Sequence, residues 1–146
     1  MKACIIYSSV TGNTYQLAQE VYDTLSASIE DLDYVHVDEI DYDQLLNYDF
    51  IAIGTYTWGS GDLPMEMEPL FDWFEEQSPK HLRTAVFGTG DSFYPNFCGA
   101  VDLFRDMLYV KTTLTVTLKV ELMPQSHDIK KVPTFCDRLM PEPVYS

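Results

Sequence analysis

Between residues 3 and 79 this chain has no lysine and no arginine, while sixteen acids fall in the same stretch. Lys2 is the only basic side chain before Lys80, and the formal net charge is −14. Such a surface repels nucleic acid. It suits a basic protein partner, because long-range attraction speeds encounters; acidity also serves solubility by itself. Cysteine is scarce too. Cys4, Cys98 and Cys136 are odd in number, lie far apart and show no metal-ligand spacing, so free thiols and no structural zinc are expected. No apolar run reaches the roughly 18 residues that would suggest a membrane-spanning helix. The opening MKACIIY is too short for a signal peptide and suits a first strand, which points to the cytosol. Neither the GK[ST] ending of a P-loop nor GxGxxG is present. There is no internal repeat, linker or low-complexity stretch, and 146 residues fit one domain with a real core.

What is present alternates. Residues 2–7 read as a first strand, and 14–26 as a helix with Leu17, Ala18, Val21 and Leu25 on one stripe. A second strand is expected at 34–37 and a short helix or turn at 41–46. The run 50–53 is continuously apolar and ends at Gly54, as a central parallel strand does. A second amphipathic helix is expected at 66–76, a fourth strand at 83–87 and a third helix at 100–108. Residues 113–120 alternate threonine and valine with other residues, so they suit a half-buried edge strand. A last helix is expected at about 129–139, but Pro133 sits five residues past Asp128, a plausible N-cap. The helix therefore kinks or begins near Val132 with the proline in its first turn, and the later start is preferred. The tail MPEPVYS is expected to pack loosely. Five strands interleaved with helices imply a parallel sheet covered on both faces, with right-handed crossovers.

Three loops carry the chemistry. Ser8, Ser9, Val10, Thr11, Gly12, Asn13 and Thr14 join the first strand to the first helix. They supply hydroxyls, an amide, a glycine and a helix N-terminus, but no cation. Successive N–H groups and the helix dipole suit an anion held by directed hydrogen bonds; a plain N-cap turn would use the same residue types. A monophosphate fits such a loop better than a pyrophosphate or a magnesium nucleotide. After the third strand come Gly54, Thr55, Tyr56, Thr57, Trp58, Gly59, Ser60, Gly61 and Asp62. Trp58 on a polar loop suggests a flat platform for an aromatic ligand. After the fourth strand come Thr89, Gly90, Asp91, Ser92, Phe93, Tyr94, Pro95, Asn96, Phe97, Cys98 and Gly99, again glycines, an acid and aromatics. In an open α/β sheet, ligands sit beyond the C-terminal ends of the strands where strand order reverses, and all three loops open there. A phosphate nest beside two aromatic rings describes a flat heteroaromatic ring on a phosphorylated stem.

At these residues the chain resembles the short-chain flavodoxins, over about residues 2–139. Ser9-Val10-Thr11-Gly12-Asn13-Thr14 is similar to the family's FMN phosphate loop. Thr57-Trp58-Gly59 resembles the loop whose tryptophan covers the inner face of the flavin. Gly90-Asp91-Ser92-Phe93-Tyr94 with Phe97-Cys98-Gly99-Ala100 resembles the loop whose tyrosine stacks outside. The resemblance implies a doubly wound α/β sandwich with strand order 2-1-3-4-5, and FMN as cofactor. It implies phosphate contacts from Ser9, Thr11, Asn13 and Thr14, with Thr57 closing the site. The backbone near Asp91 and Cys98 would meet the pyrimidine edge, and Trp58 and Tyr94 would sandwich the ring. Tyr56, Thr89, Asn96 and Phe97 complete the expected site with Val10, Gly12, Gly59 and Gly90. Ser60-Gly61 where the family often has an acid, Val110-Lys111-Thr112 in place of a glycine turn, and Pro133 depart from the pattern.

The implied function is low-potential, one-electron transfer by a monomeric carrier between a flavodoxin reductase or other donor and acceptor proteins with basic surfaces. Gly59 could turn its carbonyl toward the flavin without a Cβ penalty, and the acids around the ring would disfavour a second electron. No residue is expected to act as nucleophile, acid or base, and the three histidines lie outside the loops. A specialised relative serving one enzyme, such as a ribonucleotide reductase activator, is the alternative. A phosphoacceptor domain would need clustered carboxylates at the ends of the first and third strands, and a cysteine phosphatase would need a cysteine in the phosphate loop.

Overall fold

A computed structural model describes residues 1–140; the expectation for the tail at 141–146 lies outside the described residues. Five parallel strands form one sheet in the order β2-β1-β3-β4-β5. They are β1 (Lys2–Tyr7), β2 (Asp31–His36), β3 (Phe50–Thr55), β4 (Arg83–Gly90) and β5 (Thr113–Glu121). The helices are α1 (Asn13–Ser26), α2 (Glu68–Gln77), α3 (Gly99–Lys111), α4 (Ser126–Ile129) and α5 (Val132–Leu139). This is the expected doubly wound arrangement, and none of these helices is long and apolar enough to cross a membrane.

Strand alternation divides the core in two. Ala3, Ile5, Phe50, Ala52, Ala85 and Phe87 join Leu17, Val21 and Leu25 of α1 and Phe135 of α5 on one face. Cys4, Ile6, Ile51, Ile53 and Val86 join Leu70 and Phe74 of α2 and Phe104 and Leu108 of α3 on the other. The three central strands are apolar on both faces because helices cover both. Gly54 gives room to this packing: a Cβ there would come 2.4 Å from the Phe87 ring. Truncating such a buried phenylalanine costs about 3–5 kcal/mol. The three cysteines are buried free thiols.

The expected boundaries shift where tertiary contacts outweigh local preference. β2 begins at Asp31, not residue 34, because pairing from Lys2↔Asp31 to Tyr7↔His36 supplies a ladder that acid-rich sequence does not advertise. Asp33 on this strand accepts a 2.5 Å hydrogen bond from Tyr48. The expected helix at 66–76 opens as a 3₁₀ turn at Met65–Met67, and the α-helix proper starts at Glu68 with a proline in its first turn. α3 runs on to Lys111, where the Thr112 hydroxyl donates to the Leu108 carbonyl at 2.7 Å. The last helix starts at Val132, with Pro133 in the first turn. Asp128 belongs to a separate short helix instead of capping that one: its carboxylate accepts the Gln125 N–H at 2.9 Å in a reciprocal capping box.

Candidate functional site

The loop from Ser8 to Gly12 is built to present a helix end. The Ser8 N–H donates to the Gly54 carbonyl at 3.0 Å, so the loop leaves the sheet beside β3. The Gly12 N–H donates to the Ser9 hydroxyl at 3.2 Å. Gly12 then turns the chain at φ 93°, a left-handed conformation that favours glycine, with nothing within 4 Å of a notional Cβ. No side chain caps α1. Its first amides and the positive end of its dipole are left for an anion. The Thr14 hydroxyl has a partner within the protein. It is buried in a 2.7 Å hydrogen bond with the Thr89 hydroxyl of β4.

Two adjoining cavities lie at the C-terminal ends of the strands. The first, about 220 Å³, receives Ser9, Val10, Thr11, Asn13 and Thr14 from the phosphate-type loop. Tyr56, Thr57 and Trp58 from the loop after β3, and Thr89, Gly90 and Asp91 at the end of β4, complete it with Leu122. The second, about 390 Å³, lies between Thr57, Trp58 and Gly59 on one side and Asp91, Tyr94, Pro95, Asn96 and Cys98 on the other. Thr57, Trp58 and Asp91 line both, so the two cavities are neighbours that share a wall. Trp58 is 61% exposed and Tyr94 54%, large rings held open to solvent rather than packed into the core. Neither cavity is lined by lysine or arginine. A third cavity of about 630 Å³, lined by Arg105, Arg138 and Thr115, flanks the first half of β5 at the opposite end of the strands from these loops.

Nearly all the expected site residues thus converge. Gly12 and Phe97 line neither cavity: Gly12 makes the turn, and Phe97 is half-buried against the α2/α3 side of the core. Cys98 reaches the slot but stays a neutral packing group, its thiol pushed up to about 12 by burial. Sequence reasoning missed Pro95 and Leu122. Leu122 follows β5, a loop with no motif, and is brought in by its N–H donating to the Gly90 carbonyl at 2.8 Å. It also missed the tie beneath the loops. One Glu66 carboxylate oxygen accepts from the Ser8 hydroxyl at 2.7 Å and from the Tyr56 hydroxyl at 2.5 Å. Burial is the largest single influence and works to raise the Glu66 pKa, but these two hydrogen bonds, a backbone hydrogen bond and the nearby His36 together hold the carboxyl below its ordinary value.

A loop and helix start without cations, beside a slot lined by Trp58 and Tyr94, have the chemistry that a flat ring on a phosphate stem would need. The sequence profile of the family described as Flavodoxin matches residues 5–132. The chain belongs to the flavodoxin family. It is similar to a probable flavodoxin 1 of Bacillus subtilis, 43% identical over 87% of this chain and 82% of that one. It is also similar to the crystal structure of oxidised flavodoxin 2 from Bacillus cereus, with a TM-score of 0.87 and 35% identity over 95% of this chain and 97% of that one. The Streptococcus pneumoniae flavodoxin superposes with a TM-score of 0.88 at 31% identity, covering 95% of this chain and 97% of that one. The chain falls with the short-chain flavodoxins, and like them it is an electron carrier rather than an enzyme.

Proposed function

We propose that this flavodoxin is a single domain that binds one FMN non-covalently and serves as a low-potential one-electron carrier. The observation that carries this reading is the cation-free loop and uncapped helix start lying beside the slot lined by Trp58 and Tyr94, with Thr57, Trp58 and Asp91 shared between the two cavities. Bound FMN would supply the redox chemistry, passing between neutral semiquinone and hydroquinone. The protein's part is binding and environment. Ser9, Thr11 and Asn13 offer side chains to the phosphate, and the first turn of α1 offers N–H groups. Thr14 would contribute its amide, and its hydroxyl is held in place by the hydrogen bond with Thr89. Thr57 lies at the junction of the two cavities and closes the phosphate end.

Trp58 and Tyr94 would cover the ring and keep water from it, and the backbone around Asp91 and Cys98 would meet its polar edge. Asp62, Glu66 and Glu68 line a further cavity behind Trp58. With Asp91, they place negative charge around a ring that would gain more, which favours a low potential. An exposed acidic rim then suits donors and acceptors with basic docking surfaces, including a flavodoxin reductase, in weak, fast and salt-sensitive encounters made by a monomer.

Stepwise anaerobic reduction of the purified protein, followed by its visible spectrum, tests the proposal. Yellow turning blue and then pale is the expected outcome, showing bound flavin and two separated one-electron steps. A yellow protein that bleaches directly would favour a specialised relative. A colourless protein that takes up no added FMN would overturn the cofactor assignment and leave the fold standing.

A further inference from the structure

The two walls of the ring slot come from loops more than thirty residues apart, yet a side chain of one bonds directly to the backbone of the other. The Asn96 side-chain amide donates to the Ser60 carbonyl at 2.9 Å. Around that bond the loops approach almost backbone to backbone. A Cβ on Gly61 would lie 2.7 Å from Asn96 Cβ, and a Cβ on Gly99 would lie 2.6 Å from the Gly61 Cα and carbonyl oxygen. Gly61 itself has φ 121°, which L side chains rarely adopt. Close contact and hydrogen bond therefore coincide, and both depend on the chain's particular residues there.

The tie is rigidly connected on each side. Residues 58–62 form a closed turn: the Trp58 N–H donates to the Asp62 carbonyl at 2.9 Å, and the Asp62 N–H returns to the Trp58 carbonyl at 2.8 Å. Holding Ser60 therefore holds Trp58. On the other wall, the Asn96 carbonyl accepts from the Gly99 N–H at 2.8 Å, which fixes Asn96 to the first residue of α3. Asn96 has φ 58°, a left-handed conformation that asparagine tolerates better than most residues. This backbone turn aims the amide across the slot. The Ala100 N–H also reaches the Thr57 hydroxyl, at a long 3.4 Å, as a weaker second tie nearer the phosphate end.

We infer that Asn96 is a positioning residue, a latch that joins the tryptophan wall to the tyrosine wall and so sets the opening of the ring slot. The inference rests on the FMN reading above. It assigns the Asn96 side chain to holding the protein's own loops in register rather than to a contact with the ligand. Because the amide is neutral, removing it changes slot geometry without changing the charge around the ring.

Asn96→Gly removes the amide while keeping the left-handed turn, so it separates the latch from backbone strain. Asn96→Asp keeps size and turn preference but sets a carboxylate against the Ser60 carbonyl, and should be the more damaging. Apoprotein of each form would be titrated with FMN and with riboflavin, which lacks the phosphate, and Trp58 exposure followed by acrylamide quenching. Both ligands should bind Asn96→Gly about fivefold more weakly, the net worth of one neutral hydrogen bond. The ratio of the two affinities should stay unchanged, quenching should rise, and the midpoint potential of bound flavin should shift. If Asn96→Gly matches the parent in affinities, quenching and potential, the latch is refuted while the FMN reading stands. A loss confined to FMN would place the effect at the phosphate end and also refute the latch. If the parent apoprotein binds neither ligand, the FMN reading falls and takes this inference with it.

Discussion

The phosphate end and the ring end of the candidate site are built on opposite plans. The phosphate end is one contiguous segment, Ser8 to Thr14, set between a strand and the helix it opens. Its geometry follows from local rules: one left-handed glycine, one serine–glycine hydrogen bond and an uncapped helix start. The ring end has no contiguous segment. Its walls come from the loops after β3 and β4, and their spacing depends on Asn96 and on close approach at Gly61 and Gly99. An anion needs several donors converging on one point, and a helix N-terminus already provides them. A flat ring needs two parallel walls, and one short loop cannot supply both.

Three perturbations break or sharpen that contrast. The largest effect is expected for Trp58→Ala. Stacking of a heteroaromatic ring on an aromatic side chain is worth about 1–3 kcal/mol by alanine substitution. FMN and riboflavin affinities should therefore fall together, by roughly fivefold to 150-fold. Unequal losses in parallel titrations would show that the two ends do not act separately.

Gly12→Ala is the converse. Its Cβ meets no neighbour, so the cost is backbone strain alone, about 1–2 kcal/mol for an L residue held left-handed. FMN affinity should fall about tenfold, with riboflavin affinity unchanged. A riboflavin loss as large as that for FMN would contradict the local character of the phosphate loop.

The smallest effect concerns Glu66, whose carboxylate ties the loop after β1 to the loop after β3 through Ser8 and Tyr56. Its pKa is lowered from an ordinary 4.5 in the folded protein. The ionised form thus adds stability above the ordinary value, and that contribution is lost as pH falls through the lowered one. In urea unfolding of the apoprotein, the parent's advantage over Glu66→Gln should be constant near neutrality and should shrink as the pH is taken below 4.5. An advantage that persists undiminished to low pH would show that the tie does not depend on the charge.

Much of this was legible in the residues because it is local. β1 and β5 fall within one residue of their expected ends, and β4 begins at Arg83 as expected, although it runs on past residue 87 to Gly90. Pro133 forced a choice about the last helix, and the helix starts at Val132 as preferred. The errors lie where distant chain decides. β2 gains three residues from pairing with β1. Leu122 enters the site through a bond to Gly90. The Thr14 hydroxyl is hydrogen-bonded to that of Thr89, seventy-five residues away, a pairing that no local pattern announces.

The sequence by itself therefore determined the alternation of strands and helices, the anion-type loop and the presence of two aromatic-bearing loops at strand ends. Each follows from side-chain period, turn chemistry and helix-end chemistry, which act over a few residues. Tertiary structure alone decided which hydroxyls pair with each other, how Glu66 joins the loops after β1 and β3, and how the ring walls are held together. Those features rest on single hydrogen bonds and close backbone contacts between segments that meet only when the sheet is assembled, and no local pattern encodes a distance of that kind.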